Sequence, residues 1–154
     1  MAGPLGKKVA VPDSFSPEIL FPISRDNQRK DKDLIFERGM DIWNLHEIFW
    51  LNHDSVSNHN ELSIQIPADS KFTVESKSLK LFVNSLIHTR FESLKEVTDT
   101  IKRHVENLIE TSIKIGDIHP KKELSSKKII INSDFSHAPK VSENHAITRF
   151  SGFR

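Results

Sequence analysis

Leu62, Ile64 and Ile66 alternate with Ser63 and Gln65, and the run stops at Pro67. This is the pattern of a β-strand with one face in a core and the other in water. Such a strand needs a neighbour to satisfy its backbone and a layer to cover its apolar face. The chain supplies the neighbour just upstream. In residues 41–52, Trp43, Leu45, Phe49 and Leu51 fall on one side of a predicted strand and Ile42, Ile48 and Trp50 on the other, so that both faces read as largely covered. A polar turn of about eight residues, rich in Asn, His and Ser, joins the two as an antiparallel pair with a loop longer than the tightest hairpins.

The covering layer follows. Leu79, Phe82, Val83, Leu86 and Ile87 recur at spacings of three and four, which predicts a helix beginning just after Ser76 and Ser78. Leu94, Val97, Ile101, Val105 and Leu108 predict a second, with Ser93 as its cap. Two helices on one sheet face is the simplest packing. Residues 112–118 and 128–132 read as two further short strands, giving the order strand, strand, helix, helix, strand, strand and an α+β class.

Around this module, residues 41–132, lie two less patterned segments. Residues 1–40 carry Pro4, Pro12, Pro17 and Pro22, which disfavour continuous helix and central strands, so an extended arm is expected. Its charged stretch from Arg25 to Asp33 reads as a solvated loop. Residues 133–154, with Pro139 and no sustained period, read as a weakly structured tail or an edge segment.

Composition narrows the chemistry. With 22 Lys and Arg against 21 Asp and Glu, the chain lacks the basic footprint of a nucleic-acid binder, and no direct nucleic-acid partner is expected. It contains no cysteine, which excludes disulfides, thiolate zinc sites and a cysteine nucleophile within the chain. Its eight histidines include no His-Glu-x-x-His helix or other tight ligand spacing, so no metal site is expected. No run approaches the roughly 18 apolar residues of a membrane span, and Met-Ala-Gly-Pro-Leu-Gly-Lys-Lys lacks the apolar core of a signal peptide; a cytoplasmic protein without a membrane partner is expected.

The richest segment is Val74-Glu75-Ser76-Lys77-Ser78-Leu79-Lys80-Leu81-Phe82, where a loop becomes a helix. The first N–H groups of a helix lack intrahelical partners and favour negative charge, and Lys77 and Lys80, three apart, reach to one side. The same residues also read as a capped amphipathic helix, with Ser76 or Ser78 as N-cap, Glu75 near the positive end and both lysines solvated. The segment by itself leaves both readings open.

Taken in order, Leu5-Gly6-Lys7, Leu20-Phe21-Pro22-Ile23, Asp41-Ile42-Trp43-Asn44, Glu47-Ile48-Phe49-Trp50-Leu51-Asn52, Glu75-Ser76-Lys77-Ser78-Leu79-Lys80, Asn84-Ser85 and Thr89-Arg90-Phe91 form a series. It resembles the N-terminal half of the bimodular 7-cyano-7-deazaguanine reductases, the NADPH-dependent nitrile reductases of tRNA queuosine biosynthesis. The resemblance covers residues 5 to about 112 and fades beyond. It implies a tunnelling fold, in which modules of antiparallel sheet plus two helices join their sheets into a barrel and bind ligands between modules. It further implies 7-cyano-7-deazaguanine as substrate and NADPH as hydride donor. By matching position, Val74, Glu75 and Ser76 border the substrate pocket, Ser76 and Lys77 contact NADPH, and Lys80 is a further cofactor candidate.

The resemblance also defines what is missing. In the family a cysteine adds to the nitrile to give a thioimide, an aspartate supplies protons, and two hydrides in turn complete reduction to the amine. The bimodular type keeps the thiol, the acid and a His-Glu substrate clamp in its C-terminal half, and no segment here resembles that half. No catalytic residue is therefore expected in this chain, and activity requires a second, cysteine-bearing module. The chain is then a piece of a larger reductase, a half that pairs with a separate C-terminal chain, or a repurposed module. In the last case it is a non-catalytic purine- or pteridine-binding protein, or a structural homo-oligomer anchored by Trp43, Phe49, Trp50 and Phe91.

Overall fold

The computed structural model describes residues 6–30 and 38–118, with Arg38 and residues 145–151 described as backbone alone. After a 3-10 turn at Pro17–Ile19 come a short strand β1 (Pro22–Ser24), a one-turn helix α1 (Arg25–Arg29), and the long strands β2 (Arg38–Leu51) and β3 (Ser57–Pro67). Strand β4 (Phe72–Val74) leads into helix α2 (Ser76–Ser85), a 3-10 turn at Leu86–His88, helix α3 (Leu94–Ile109) and strand β5 (Lys114–Asp117). A last strand β6 (His145–Ser151) completes the described elements. The predicted strand at 128–132 lies outside the described residues.

The class is α+β, as the element order predicts. Strands β2 and β3 pair antiparallel, as do β3 and β5, giving a sheet of order β5-β3-β2-β6 in which β6 runs parallel to β2. Strands β1 and β4 form a separate antiparallel pair. Both helices lie over one sheet face. Trp43, Leu45, Ile48, Trp50, Leu62, Ile64 and Ile66 from the sheet share one core with Leu79, Phe82, Val83 and Leu86 of the α2 region and Val97, Ile101, Val105 and Ile109 of α3.

The face assignment of β2 departs from simple alternation. Leu45 sits opposite Leu62, but the next paired residues are Ile48 and Asn60, so three steps along β2 match two along β3. This β-bulge adds one residue at His46 and Glu47 and exchanges inward for outward positions beyond it. Trp43 and Leu45 before it, and Ile48 and Trp50 after it, therefore all point into the core. Phe49, expected beside Trp43 and Leu45, is instead 46% exposed and stacks on His59 with ring centroids 4.7 Å apart. The strand has one covered face, and the bulge merges what reads as two apolar sides.

Helix ends follow local chemistry. The Ser93 hydroxyl accepts the Glu96 N–H at 3.3 Å, as a capping serine should, while the Glu96 carboxylate reaches back to the Glu92 N–H at 2.7 Å. Helix α3 ends at Glu110, whose φ of 56° turns the chain out of the helix.

The charged stretch after β1 is not wholly solvated. Arg25 is buried. It donates to the Asp41 carboxylate at 2.6 Å, to the Ser70 hydroxyl at 3.0 Å and to the Pro67 carbonyl at 3.3 Å. Arg29 adds a bond to the Ala68 carbonyl at 2.7 Å. A charge is tolerated inside when it is paired and its donors are filled, and the Asp41 carboxylate supplies the pair.

Candidate functional site

The β4–α2 junction holds the five residues singled out by sequence, and their roles separate by burial. Val74 is a core residue on β4, and Glu75 follows it at 2% exposure. The main chain of Glu75 is extended, and its carboxylate accepts the Lys77 N–H at 3.0 Å and the Ser78 N–H at 2.7 Å. Glu75 is thus the N-cap of α2, in place of the serines expected there. A carboxylate reaches the same N–H groups that a serine would and adds charge at the positive helix end. Those amides are consequently already engaged, which removes part of what makes a helix N-terminus attractive to phosphate.

Ser76, Lys77 and Lys80 are partly exposed on the first turns of α2. The Lys77 ammonium donates to the main-chain carbonyl of Lys7. The Lys80 ammonium lies 3.8 Å from the Glu47 carboxylate, in a surface pair whose side chains are 34% and 50% exposed. A pair this open is weakly held, so exchanging one partner for a ligand costs little. Lys80 also lines a small cleft with Leu45, His46, Glu47, Val83 and Asn84. Glu47 shares the odd-numbered side of β2 with Trp43 and Leu45, the side that α2 covers, and the sequence motifs contained both Glu47 and Asn84.

The cleft encloses about 20 Å³, roughly the room of one water molecule. That is far below the several hundred Å³ of a pocket enclosing a small ligand. Lys80 lines this cleft, which is too small to enclose a ligand, while Ser76 and Lys77 stand half-buried on the preceding turn of α2. Next to it, on the solvent side of the sheet, His46 Nδ1 meets Glu61 Oε1 at 2.9 Å and His59 Nε2 donates to the His46 carbonyl at 2.8 Å. Among the described residues, no group of three or more His, Asp or Glu side chains is placed to hold a metal, and no helix is long and apolar enough to cross a membrane.

Serines of α2 play a part that the motif reading missed. Ser78 and Ser85 are fully buried. Each donates to the carbonyl three residues back, Glu75 at 2.8 Å and Phe82 at 2.6 Å. Each also accepts a main-chain N–H from the N-terminal segment, Ser78 from Phe21 at 3.0 Å and Ser85 from Ser16 at 3.1 Å. The signal was present in the sequence as two serines seven positions apart on an otherwise apolar stripe.

A sheet with two helices on one face, and a cluster of polar residues where the first helix begins, together define an α+β module with a candidate ligand surface. Residues 11–116 match the family described as nitrile reductase, 7-cyano-7-deazaguanine-reductase N-terminal domain, and the chain belongs to it. It is 42% identical over 105 residues to the NADPH-dependent 7-cyano-7-deazaguanine reductase of Paraburkholderia phytofirmans, covering 66% of this chain and 38% of that protein. The protein of the same name from Acinetobacter baylyi is 36% identical over 113 residues, covering 72% of this chain and 42% of that protein. That from Paraburkholderia phymatum is 36% identical over 125 residues, covering 79% and 45%. The chain thus aligns with about two fifths of the length of these relatives.

Proposed function

We propose that this chain is the N-terminal module of an NADPH-dependent 7-cyano-7-deazaguanine reductase of queuosine biosynthesis, supplying ligand-binding surface while the reacting thiol comes from a second module. The observation that carries this reading is the family match across residues 11–116 in a chain that contains no cysteine. The small cleft beside Lys80 agrees with it, because a site of this size takes a ligand only when something closes over it.

In this reading the module adopts the tunnelling fold. The solvent-facing side of its sheet lines a barrel shared with a C-terminal catalytic module, or with a further copy if the chain self-associates. Val74, Glu75 and Ser76 border the 7-cyano-7-deazaguanine pocket. The burial of Glu75 makes it the residue that fixes the wall, so that Ser76 and the adjacent main chain face the ligand. Ser76 and Lys77 contact NADPH, and Lys80 exchanges Glu47 for a cofactor phosphate. A lysine serves there as a point charge. Reduction of a nitrile to an amine takes two hydrides and two protons, with the substrate held as a thioimide during the first transfer. Every group that bonds to carbon or moves a proton in that sequence lies outside this chain, which binds and orients.

The test is calorimetric titration with 7-cyano-7-deazaguanine, then with NADPH, while absorbance follows NADPH consumption. Binding without consumption is expected. Failure to bind either ligand removes the recognition role, and consumption by this chain alone removes the requirement for a thiol.

A further inference from the structure

The N-terminal segment crosses α2 in two stretches of unlike character. Residues 16–21 are built in. Ser16 and Leu20 are each 8% exposed, the N–H groups of Ser16 and Phe21 enter the buried hydroxyls of Ser85 and Ser78, and the Phe21 carbonyl accepts the Glu75 N–H at 2.9 Å. Residues 7–12 lie on the surface, with Val11 72% exposed. Two main-chain carbonyls of this stretch accept from α2 and its following turn: His88 Nε2 donates to Pro12 at 3.1 Å, and the Lys77 ammonium donates to Lys7. Between the two stretches Phe15 packs on Phe82 and His104, at centroid distances of 6.0 and 5.8 Å.

A peptide carbonyl is a neutral acceptor for an ammonium, whereas a phosphate oxygen carries charge and makes the stronger, charge-assisted bond. We infer that residues 7–14 are a strap hinged at the packed Phe15, latched by the Lys77 ammonium on the Lys7 carbonyl, and displaced from that ammonium when a cofactor phosphate takes it. This rests on the assignment of Lys77 to NADPH made above. The strap carbonyl and the phosphate draw on the same ammonium, and as that group moves to the charged acceptor it leaves the carbonyl, so ligand binding frees the outer strap while the stretch from Ser16 to Phe21 stays seated. Because the latch accepts through the main chain, the identity of side chain 7 does not set it. The identity of side chain 77 does.

A chain without cysteine accepts a single spin label at a chosen position. The labelled variants Val11→Cys, on the strap, and Glu18→Cys, on the seated stretch, are compared by electron paramagnetic resonance with Lys77 intact, with Lys77→Ala, and with saturating NADPH. Both Lys77→Ala and NADPH are expected to narrow the spectrum at position 11 and leave position 18 unchanged. In parallel, the chain beginning at Asp13 is expected to bind NADPH roughly three- to tenfold tighter by calorimetry, the scale of one ordinary net hydrogen bond. An unchanged spectrum at position 11 in Lys77→Ala overturns the latch whatever the ligand does. NADPH that binds with measurable heat yet leaves position 11 unchanged overturns the competition but not the cofactor assignment. Weaker binding by the shortened chain makes the strap part of the site and overturns the competition as well. Absence of NADPH binding to both chain lengths overturns the cofactor assignment, and the competition with it.

Discussion

The Arg25 guanidinium and the Asp41 carboxylate meet at 2.6 Å with side chains only 6% and 12% exposed, joining the N-terminal segment to the start of β2. Removing one partner of such a pair leaves a charge stranded in the interior, which typically costs about 3–5 kcal/mol, whereas replacing both with apolar side chains is often close to neutral. Asp41→Ala is therefore expected to lower unfolding stability by about 3–5 kcal/mol in urea titrations. The double variant Arg25→Met/Asp41→Leu is expected to recover most of that loss. A double variant as unstable as the single one would show that the pair acts chiefly by holding the Ser70 and Pro67 contacts.

The bulge in β2 makes two adjacent residues unequal. Ile48 is fully buried and Phe49 is 46% exposed. Ile48→Ala is expected to cost about 2–5 kcal/mol, the range for truncating a core side chain. Phe49→Ser, which loses the stacking on His59 from a half-exposed position, is expected to cost under about 1 kcal/mol. Equal losses in chemical denaturation would mean that the strand keeps simple alternation through His46 and Glu47.

Glu75 caps α2 from a buried position, so its first duty is structural. Glu75→Ala is expected to lower stability by about 0.5–2 kcal/mol, the range for losing an N-cap, and Glu75→Asp to lose less because a carboxylate can still reach the same amides. Thermal unfolding of the two variants checks this. If Glu75→Ala leaves stability unchanged while abolishing binding of 7-cyano-7-deazaguanine, the carboxylate reads the ligand instead of the helix.

In the proposed function Lys77 meets NADPH through its ammonium, and exposed charge contacts are screened by salt. Lys77→Ala is expected to weaken NADPH binding most at low ionic strength, with the difference from the parent chain shrinking as salt rises. Calorimetry at two salt concentrations decides it. A loss of equal size at both would assign Lys77 a packing role.

His104 packs edge-on against Phe15 and Phe82, and burial, reinforced by the neighbouring Arg103, holds its pKa below the usual value of about 6.5. The folded chain therefore binds fewer protons at this ring than the unfolded chain does. The ring's contribution to stability is complete above a pH of about 6.5 and is lost as pH falls through the lower folded pKa. The melting temperature is expected to drop between about pH 7.5 and pH 5.5, and His104→Gln to reduce that drop. An identical drop in the variant would assign the acid sensitivity to other groups.

Much of this molecule is legible without coordinates. Periods of two and of three to four residues mark the hairpin and both long helices because burial of one face imposes them. Ser93 caps α3 as its place before an apolar stripe requires, since capping is settled within one turn of chain. The lack of a thiol excludes cysteine chemistry whatever the fold. What tertiary structure decided are relations between segments distant in sequence. The bulge at His46 and Glu47 depends on which residues of β3 lie opposite, and it puts Ile48 and Trp50 on the same face as Trp43 and Leu45. Ser78 yields the cap of α2 to Glu75 while its own hydroxyl receives the Phe21 N–H, a donor from 57 residues upstream. Arg25 looks like one more surface cation until Asp41, Ser70 and Pro67 enclose it. Local periodicity records which face is buried, but the partner of a buried polar group is fixed only by the packing that brings it there.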